Sequence, residues 1–181
     1  LARQTLLEQM RQYYSGCPNF DMFAGHFKVL DAADALEAFA HMEAWLRYDE
    51  GRVVYMTANG VGRVAEVNLS LNTLRVNFRS QPGKHVSFRI GEAGRLLELV
   101  PEGHFLHRKH DGLEELKQLA ESDPGELLGQ LFGSIGRPLV MGELKQMLAD
   151  VVPEGSWNTW WNRARRDKRL TVGSGSRPAL T

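Results

Sequence analysis

The chain has 181 residues, of which 43% are hydrophobic and 24% are charged. This composition is that of a folded globular protein and excludes an intrinsically disordered chain. Its 22 basic and 22 acidic residues cancel, which argues against a general nucleic-acid coat protein. No apolar run approaches the ~18 residues of a membrane span, so we expect no membrane partner. The single cysteine, Cys17, rules out an internal disulfide, favours a cytoplasmic location and is expected to be buried.

The first 48 residues are predicted to form an N-terminal helical segment. Apolar residues recur at helical spacing over 1–14, and a short helix is predicted over 20–27. Asp31 is expected to cap a third helix over 32–47. Because the helical pattern is already under way at Leu1, we expect the chain to be a piece of a longer protein.

Residues 49–101 contain four short runs that are typical of antiparallel strands. Tight turns are predicted at Asn59-Gly60 and at Gln81-Pro82-Gly83, where glycine can supply the positive φ that such turns need. Over 96–99 the leucine pattern fits a fifth short strand and a helical turn equally well. Strands this short and this few predict a small, strongly bent barrel. Such barrels usually bind another macromolecule, so we expect a binding module.

The third and fourth runs alternate between apolar and polar residues. The apolar positions are Leu74, Val76, Phe78, Val86, Phe88 and Ile90. The polar positions are Arg75, Asn77, Arg79, His85, Ser87 and Arg89. This alternation is what a half-buried antiparallel sheet requires. An aromatic cage that includes Tyr55, Phe78 and Phe88 is disfavoured, because both phenylalanines fall on the apolar side and are expected in the core.

Residues 112–170 are predicted to form a helical domain, which follows a linker over 101–112 and precedes an extended tail over 171–181. Asp123 is expected to cap a helix that has Pro124 at its first position. The helix pattern therefore predicts a C-terminal helical bundle.

The last helix of this domain carries a tryptophan stripe. Ser156 is expected to cap it. The residues that share one face at helical spacing are Trp157, Trp160, Trp161 and Ala164. We expect this face to be buried, because burial of tryptophan contributes several kcal/mol at roughly 25 cal/mol per Å². The opposite side carries Arg163, Arg166 and Arg169.

The sequence indicates no metal site, phosphate-binding loop or catalytic site. His104, His107 and His110 recur every third residue, but flanking glycine and proline predict a polar linker instead of a metal site. Gly60 and Gly62 lack the following helix of a phosphate-binding loop and are expected to serve a turn and a strand start. No Ser/His/Asp set, carboxylate pair or Cys/His pair stands out. We therefore expect no catalytic residue, no metal and no cofactor.

Two resemblances connect these patterns to known families. The run Gly51-Arg-Val-Val-Tyr55, followed by Gly60-Val-Gly-Arg-Val64, resembles the RNA-polymerase-interacting domain of CarD and of the transcription–repair coupling factor. That domain is a small SH3- or Tudor-like barrel. The resemblance implies docking on the β subunit of RNA polymerase, often by extension of a sheet. It points to the strand ending at Tyr55 and to the arginines Arg75, Arg79 and Arg89 as partner-binding residues.

The second resemblance lies at the end of the chain. The run Pro153-Glu-Gly-Ser-Trp157-Asn-Thr-Trp160-Trp161, with the preceding helical region around Asp123-Pro124, resembles an accessory region of long bacterial Gre-family transcription elongation factors. A Gre coiled-coil finger with its acidic tip is not recognisable in the sequence. Stimulation of transcript cleavage is therefore not implied for this chain.

The sequence thus predicts an α+β chain with N-terminal helices, a small SH3/Tudor-like antiparallel β-barrel and a C-terminal helical bundle. The function it favours is a non-enzymatic module of a bacterial transcription elongation factor that binds RNA polymerase through the barrel. The alternative is direct DNA or RNA binding, with Arg163, Arg166 and Arg169 along a phosphate track. A spacer that positions a downstream domain is the third interpretation.

Overall fold

The computed structural model describes residues 2–170 and 179–180. The chain separates between Val100 and Pro101 into two compact units. The first unit combines helices with an antiparallel sheet, and the second is mainly helical, so the α+β class is confirmed. The finer division into 1–48, 49–101 and 112–170 stays a prediction. No helix in the described part of the chain is long and apolar enough to cross a lipid bilayer.

The first unit begins with the three predicted helices, α1 (Ala2–Tyr13), α2 (Phe20–His26) and α3 (Ala35–Arg47). The predicted cap of the third helix is wrong. Lys28 adopts a positive φ of 48°, and its carbonyl oxygen accepts hydrogen bonds from the N–H groups of Asp31 and Ala32. This turn delays the helix by three residues, so the Asp34 side chain caps α3 by accepting from the N–H of Glu37 at 3.0 Å.

The helices pack through one apolar cluster. Phe23 and Met42 are fully buried, and the Phe23 and Trp45 rings lie 5.9 Å apart between centroids. Cys17 belongs to the same cluster, which confirms its predicted burial. Removal from water raises the pKa of the Cys17 thiol, so the site favours the protonated, unreactive form.

A buried carboxylate joins these helices to the sheet. Asp49, which is 0% exposed, lies between α3 and the first strand. Its Oδ2 accepts from the N–H of Asn19 at 3.0 Å, and its Oδ1 accepts from Asn19 Nδ2 and from the N–H of Glu50, both at 2.7 Å. Asn19 is the residue before α2. The carboxylate therefore fixes the start of α2 against the start of the sheet.

The sheet contains β1 (Val53–Met56), β2 (Gly60–Asn68), β3 (Thr73–Phe78), β4 (His85–Arg89) and β5 (Glu98–Leu99), with α4 (Ile90–Leu96) before β5. All neighbouring strands are antiparallel, in the order β4-β3-β2-β1-β5. The leucine pattern over 96–99 allowed either a helical turn or a short strand. The structure has both, since α4 ends at Leu96 and β5 covers Glu98–Leu99.

The predicted closed barrel is not confirmed, because the sheet is open. Its outermost strands are β4 and β5, which pair with β3 and β1 respectively, and no pairing joins β4 to β5 among the described residues. The helix α4 stands between them in the chain, and β5 is only two residues long. A strand of that length cannot supply the ladder that closure would need.

Both predicted turns are confirmed. The β1–β2 loop ends at Gly60, which has a φ of +74°, and the N–H of Asn59 donates to the carbonyl oxygen of Met56. The β3–β4 turn contains Gly83 at a φ of +78°. There the N–H of Lys84 donates to the carbonyl oxygen of Gln81 at 3.1 Å.

The predicted alternation is confirmed on the inner face of the sheet. Leu74, Val76 and Phe78 are buried, while Arg75 and Asn77 are exposed. Phe78 and Phe88 meet edge to face inside the core, so they are not available for an aromatic cage, as expected. Ala93 and Leu97 from the α4 region join the same core.

Gly62 is the position where the sheet tolerates no side chain. A Cβ atom there would lie 2.8 Å from the carbonyl oxygen of Asn77 and 2.8 Å from side-chain carbons of Val76 and Phe78. Contacts this short are never seen for real Cβ atoms, and one partner is backbone held in the β2–β3 ladder. The second glycine of the Gly60-Val-Gly62 run therefore allows β3 to approach β2 closely.

The second unit contains α5 (Phe105–Asp111), α6 (Leu113–Ser122), α7 (Pro124–Ile135), α8 (Met141–Leu148) and α9 (Trp157–Ala164). Two short strands, β6 (Leu139–Val140) and β7 (Ala179–Leu180), pair antiparallel. Of the predicted tail over 171–181, residues 171–178 and 181 lie outside the described residues.

The predicted linker over 101–112 is wrong, because most of it is helix α5. The neutral His104 side chain supports the start of this helix by accepting from the N–H of Leu106 at 3.1 Å. Phe105 and Leu106 are both buried and anchor the helix. The glycines and proline that favoured a loop only delimit it.

One helix cap in this unit is confirmed and one is wrong. The Asp123 side chain accepts from the N–H of Glu126 at 2.9 Å, with Pro124 at the first position of α7. Ser156 does not cap α9, because its hydroxyl donates to the carbonyl oxygen of Pro153 at 3.0 Å. A single 3₁₀ turn over Glu154–Ser156 leads into α9 instead.

We predict that Gly62→Ala lowers the free energy of unfolding by about 1–3 kcal/mol, since overpacking against backbone forces strands apart. Gly91→Ala in α4 is the matched control, because open space surrounds that position. It should leave stability unchanged or raise it by up to about 1 kcal/mol. Urea denaturation of both variants measures the difference. Equal stability of the two would contradict the close approach at Gly62.

Candidate interaction surfaces

The sheet presents a polar surface on the side opposite its core. This outer sheet face consists of Glu66, Arg75, Asn77, His85, Ser87 and Arg89, all of which are exposed. Strand register brings them together, because Arg75 is paired with Glu66 on one side and with Ser87 on the other. Arg89 is paired with Thr73, two residues from Arg75 along β3. The sequence prediction that Arg75 and Arg89 share a face is consistent with this register.

The outer sheet face is net basic. Arg79 continues the alternation of β3 and is exposed, as is Lys84 in the following turn. Within this set the carboxylate is Glu66, whose Oε2 accepts from Arg75 Nη1 at 3.0 Å. Both side chains of that pair are about half exposed, so the ion pair contributes only about 0–1 kcal/mol. Its arginine can therefore exchange this partner for another at little cost.

Tyr55 lies away from the edges of the sheet. It belongs to β1, where it is paired with Val61 of β2 and with Glu98 of β5. The strand ending at Tyr55 is thus an interior strand at this position, with neighbours on both sides. The edge strands of this sheet in the described chain are β4 and the two-residue β5, and β4 is the longer of the two.

The tryptophan stripe of α9 is buried as predicted. Trp157 and Trp160 are 6% and 7% exposed, and Ala164 is fully buried. Trp161 is half-buried and lies parallel to Trp157, with ring centroids 6.4 Å apart. The indole Nε1 of Trp160 donates to the carbonyl oxygen of Ala120 at 2.9 Å, which fastens α9 to α6.

The three arginines of the predicted phosphate track do not lie along one helix face. Helix α9 ends at Ala164, so Arg166 and Arg169 follow it. Arg163 donates through Nη2 to the carbonyl oxygen of Ala120 at 2.8 Å. Arg169 donates to Asp123 Oδ1 at 2.6 Å and to Asp167 Oδ2 at 2.7 Å. Arg163 and Arg169 therefore hold parts of the unit together, and Arg166 is the member that is simply exposed.

The contacts of Arg169 perturb two carboxylates. Hydrogen bonds from the Arg169 side chain and N–H lower the pKa of Asp167 to about 2. The pKa of Asp123 is also lowered, first by the N–H of Glu126 and then by Arg169. Arg169 thus joins the segment after α9 to the N-terminus of α7, where negative charge is favoured. Sequence spacing could not reveal this link, since 46 residues separate Arg169 from Asp123.

The three histidines lie on and before α5. Burial lowers the pKa of His104, which keeps it neutral and able to cap the helix. His107 Nδ1 and His110 Nδ1 both contact Asp111, at 3.3 Å and 2.7 Å. Within the described residues, no group of three or more His, Cys, Asp or Glu side chains is arranged to hold a metal ion.

Comparison with known proteins shows where this chain has relatives. Residues 106–170 match the family described as the GRAD helix-turn-helix domain. The chain is 27% identical over 161 residues to a protein of Chlamydia pneumoniae named transcription elongation factor GreA, covering 87% of this chain and 22% of the relative. It is 22% identical over 180 residues to a putative GreA-associated domains protein of Treponema pallidum, covering 98% of this chain and 27% of the relative. No solved structure matches the chain.

These matches support one of the two sequence resemblances. A distant similarity to proteins named GreA is confirmed. The match to the GRAD helix-turn-helix model lies within the second unit. The resemblance of the midsection to CarD is not shown by them. The chain spans about a quarter or less of the length of the curated relatives it matches, with 22%, 19% and 27% coverage.

We predict that acid weakens the second unit through Asp167. The folded pKa of about 2 lies below the ordinary value of 3.8, so the stabilisation is fully present above about pH 4 and is lost as the pH falls towards 2. Urea midpoints of the wild type and of Asp167→Asn, measured across this range, should converge at the acid end. The exposed Asp150 lies outside the Arg169 contacts, and Asp150→Asn should not reduce the acid dependence. A constant gap between wild type and Asp167→Asn at every pH would contradict the assignment.

Proposed function

We propose that this chain is a non-enzymatic interaction module of a bacterial transcription elongation factor, and that it binds RNA polymerase through the outer sheet face. The similarity to proteins named GreA supports a role in transcription. The observation that carries the proposal is the net basic surface that the strand register assembles on the exposed side of the sheet. The module acts without a cofactor, in the cytoplasm, as one part of a longer protein.

The chemistry of the outer sheet face defines its partner. Arginines on a sheet are held at fixed spacing, so they favour an acidic protein surface with matching carboxylates. Such complementarity accelerates association and fixes orientation more than it raises affinity. Strand β4 forms one border of this face and pairs with another strand on one side only within the described chain, which allows a partner strand to add main-chain hydrogen bonds.

The identity of the subunit rests on the midsection sequence. The run from Gly51 to Val64 resembles the CarD-type domain, and this resemblance favours the β subunit. Gly60 and Gly62 of that run both have structural roles in the sheet. Gly60 provides the positive φ of the β1–β2 turn, and Gly62 allows the close approach of β3 to β2. The two glycines therefore maintain the shape of the sheet. The arginines of β3 and β4 are the residues that contact RNA polymerase in this proposal.

We predict that Arg75→Glu combined with Arg79→Glu weakens capture of bacterial RNA polymerase by about tenfold or more. The reversal places negative charge against an acidic partner, and like charges at an interface cost several kcal/mol. Binding of purified polymerase to the immobilised chain, followed at low and moderate salt, measures the change. The thermal unfolding midpoint of the double variant must stay close to that of the wild type for the result to count.

The matched control reverses two exposed basic residues elsewhere in the first unit, Lys28→Glu with Arg95→Glu. Lys28 precedes α3 and Arg95 lies on α4, whose Ala93 packs on the inner side of the sheet. The control carries the same change in charge and should bind as the wild type does. Equal loss in both double variants would show a general charge effect, and no loss in either would refute docking through the outer sheet face.

A further inference from the structure

The first unit carries an open groove between α1 and α3, with a volume of about 640 Å³. The two helices run in the same direction. At one end, Arg3 of α1 donates to the carbonyl oxygens of Leu30 and Ala32, just before α3. At the other end, Tyr14 follows α1 and its hydroxyl donates to Glu43 of α3. The residues joined are 27 to 29 positions apart at both ends, so the helices keep a constant register along the groove.

Apolar side chains form both walls of this α1–α3 groove. The wall on α1 consists of Leu6, Met10 and Tyr13, and the wall on α3 consists of Leu36 and Ala40. Tyr13 is 81% exposed and Leu36 is 82% exposed, more than any other large apolar side chain of the described chain. Single exposed apolar residues are common on protein surfaces, whereas a contiguous set marks a binding surface.

Helix α1 is incompletely covered by its own unit. Every residue of α1 is exposed or half-buried. Leu7 and Met10 pack partly against the helical core, which leaves Leu6 and Tyr13 outside it. The Tyr13 ring meets Tyr14 edge to face, with ring centroids 4.8 Å apart. The apolar side of α1 is therefore wider than the core it covers, and the wall of the groove is positioned before any partner arrives.

One end of the α1–α3 groove is negatively charged. Of the nine described residues that line it, Glu43 carries the charge, and Arg47, one turn further along α3, lies outside the lining. The Glu43 Oε1 accepts from the Tyr14 hydroxyl at 3.1 Å. Burial, followed by the charge of Glu43, raises the pKa of Tyr14 to about 12, so the hydroxyl stays protonated and holds the carboxylate in place. A partner that complements this end needs a cation.

The dimensions of the groove select its occupant. Leu36, Ala40 and Glu43 follow one another at i, i+4 and i+7, so this wall is about 10 Å long at 1.5 Å per residue, or roughly two helical turns. Nine lining residues fall well short of the roughly 20–30 residues a side of a stable interface between folded proteins, which disfavours a second copy of this chain. A membrane surface does not fill a concave site. A single helix fits both the length and the shape.

We propose that the α1–α3 groove binds an amphipathic helix of a protein partner, with apolar residues at i, i+4 and i+7 in the groove and an arginine or lysine one turn beyond them against Glu43. Helices bind hydrophobic grooves through one apolar stripe, and charges at the rim fix their orientation. This site lies in the first unit and uses no residue of the outer sheet face. It goes beyond the polymerase contact and does not depend on it.

The first experiment tests the groove with a designed peptide and the whole 181-residue chain. The probe is a labelled, alanine-based helix of about 20 residues, with leucine at i, i+4 and i+7. It carries arginine at i−4 and i+11, so that one arginine reaches Glu43 in either direction of binding. Fluorescence anisotropy should show saturable binding with a dissociation constant below about 1 mM. Absence of binding to the wild type would overturn the proposal.

Substitutions of exposed residues locate the peptide without disturbing the fold. Ala40→Gln places a larger side chain in the middle of the groove and should reduce affinity about tenfold or more. Leu36→Gln should reduce it about fivefold or more. The matched control is Leu71→Gln, which removes a 68% exposed leucine from the β2–β3 turn and should bind as the wild type does. All three variants should keep the wild-type thermal midpoint. Equal losses in Leu36→Gln and Leu71→Gln would overturn the groove assignment.

The second experiment tests the charge of the partner helix. A peptide with glutamate in place of both arginines should bind the wild type about fivefold or more weakly, and Glu43→Lys should reverse the order of the two peptides. Glu8→Lys makes the same charge change at an exposed position of α1 outside the groove lining and should keep the wild-type order. Equal binding of the two peptides by the wild type, or the same reversal in Glu8→Lys, would overturn recognition of a cationic helix by Glu43.

Sedimentation equilibrium tests the competing occupant. The wild type should remain a monomer at the concentrations used for peptide binding. A dimer that Ala40→Gln dissociates would assign the groove to a second copy of this chain and overturn the docking of a partner helix.

Discussion

The buried carboxylate of Asp49 is the interaction on which the first unit depends. A buried polar side chain is tolerated only when hydrogen bonds replace its hydration, and here three N–H donors do so. Two of them belong to Asn19, just before α2, and the third lies at the start of the sheet. The helical core and the sheet core also share Val67 and Ile90. The helices therefore cover one side of the sheet and the arginines of β3 and β4 stay exposed on the other.

Local patterns in the sequence were sufficient for most of the elements. Alternation at 74–78 predicted the two faces of β3, and Asp123-Pro124 predicted the start of α7, because each depends on neighbours within a few residues. Contacts between distant residues were not predictable in this way. Asn19 and Asp49 are 30 residues apart, and the pairing that leaves the sheet open depends on where α4 interrupts the strands.

For the candidate sites too, local sequence patterns were informative and contacts between distant residues were not predictable. Arg75 and Arg89 could be placed on one face because a strand repeats every two residues. The set of Arg163, Arg166 and Arg169 assumed a helix longer than α9, and helical spacing could not show that two of them bind groups inside the unit.

The acceptor that fastens α9 to α6 is a main-chain oxygen. Both Trp160 and Arg163 donate to the carbonyl of residue 120, which is present whatever side chain stands there. Substitutions on the surface of α6 can thus accumulate without removing the attachment point. Exposed residues of α9 other than Arg163 can likewise be replaced without loss of the two bonds that hold the helix in place.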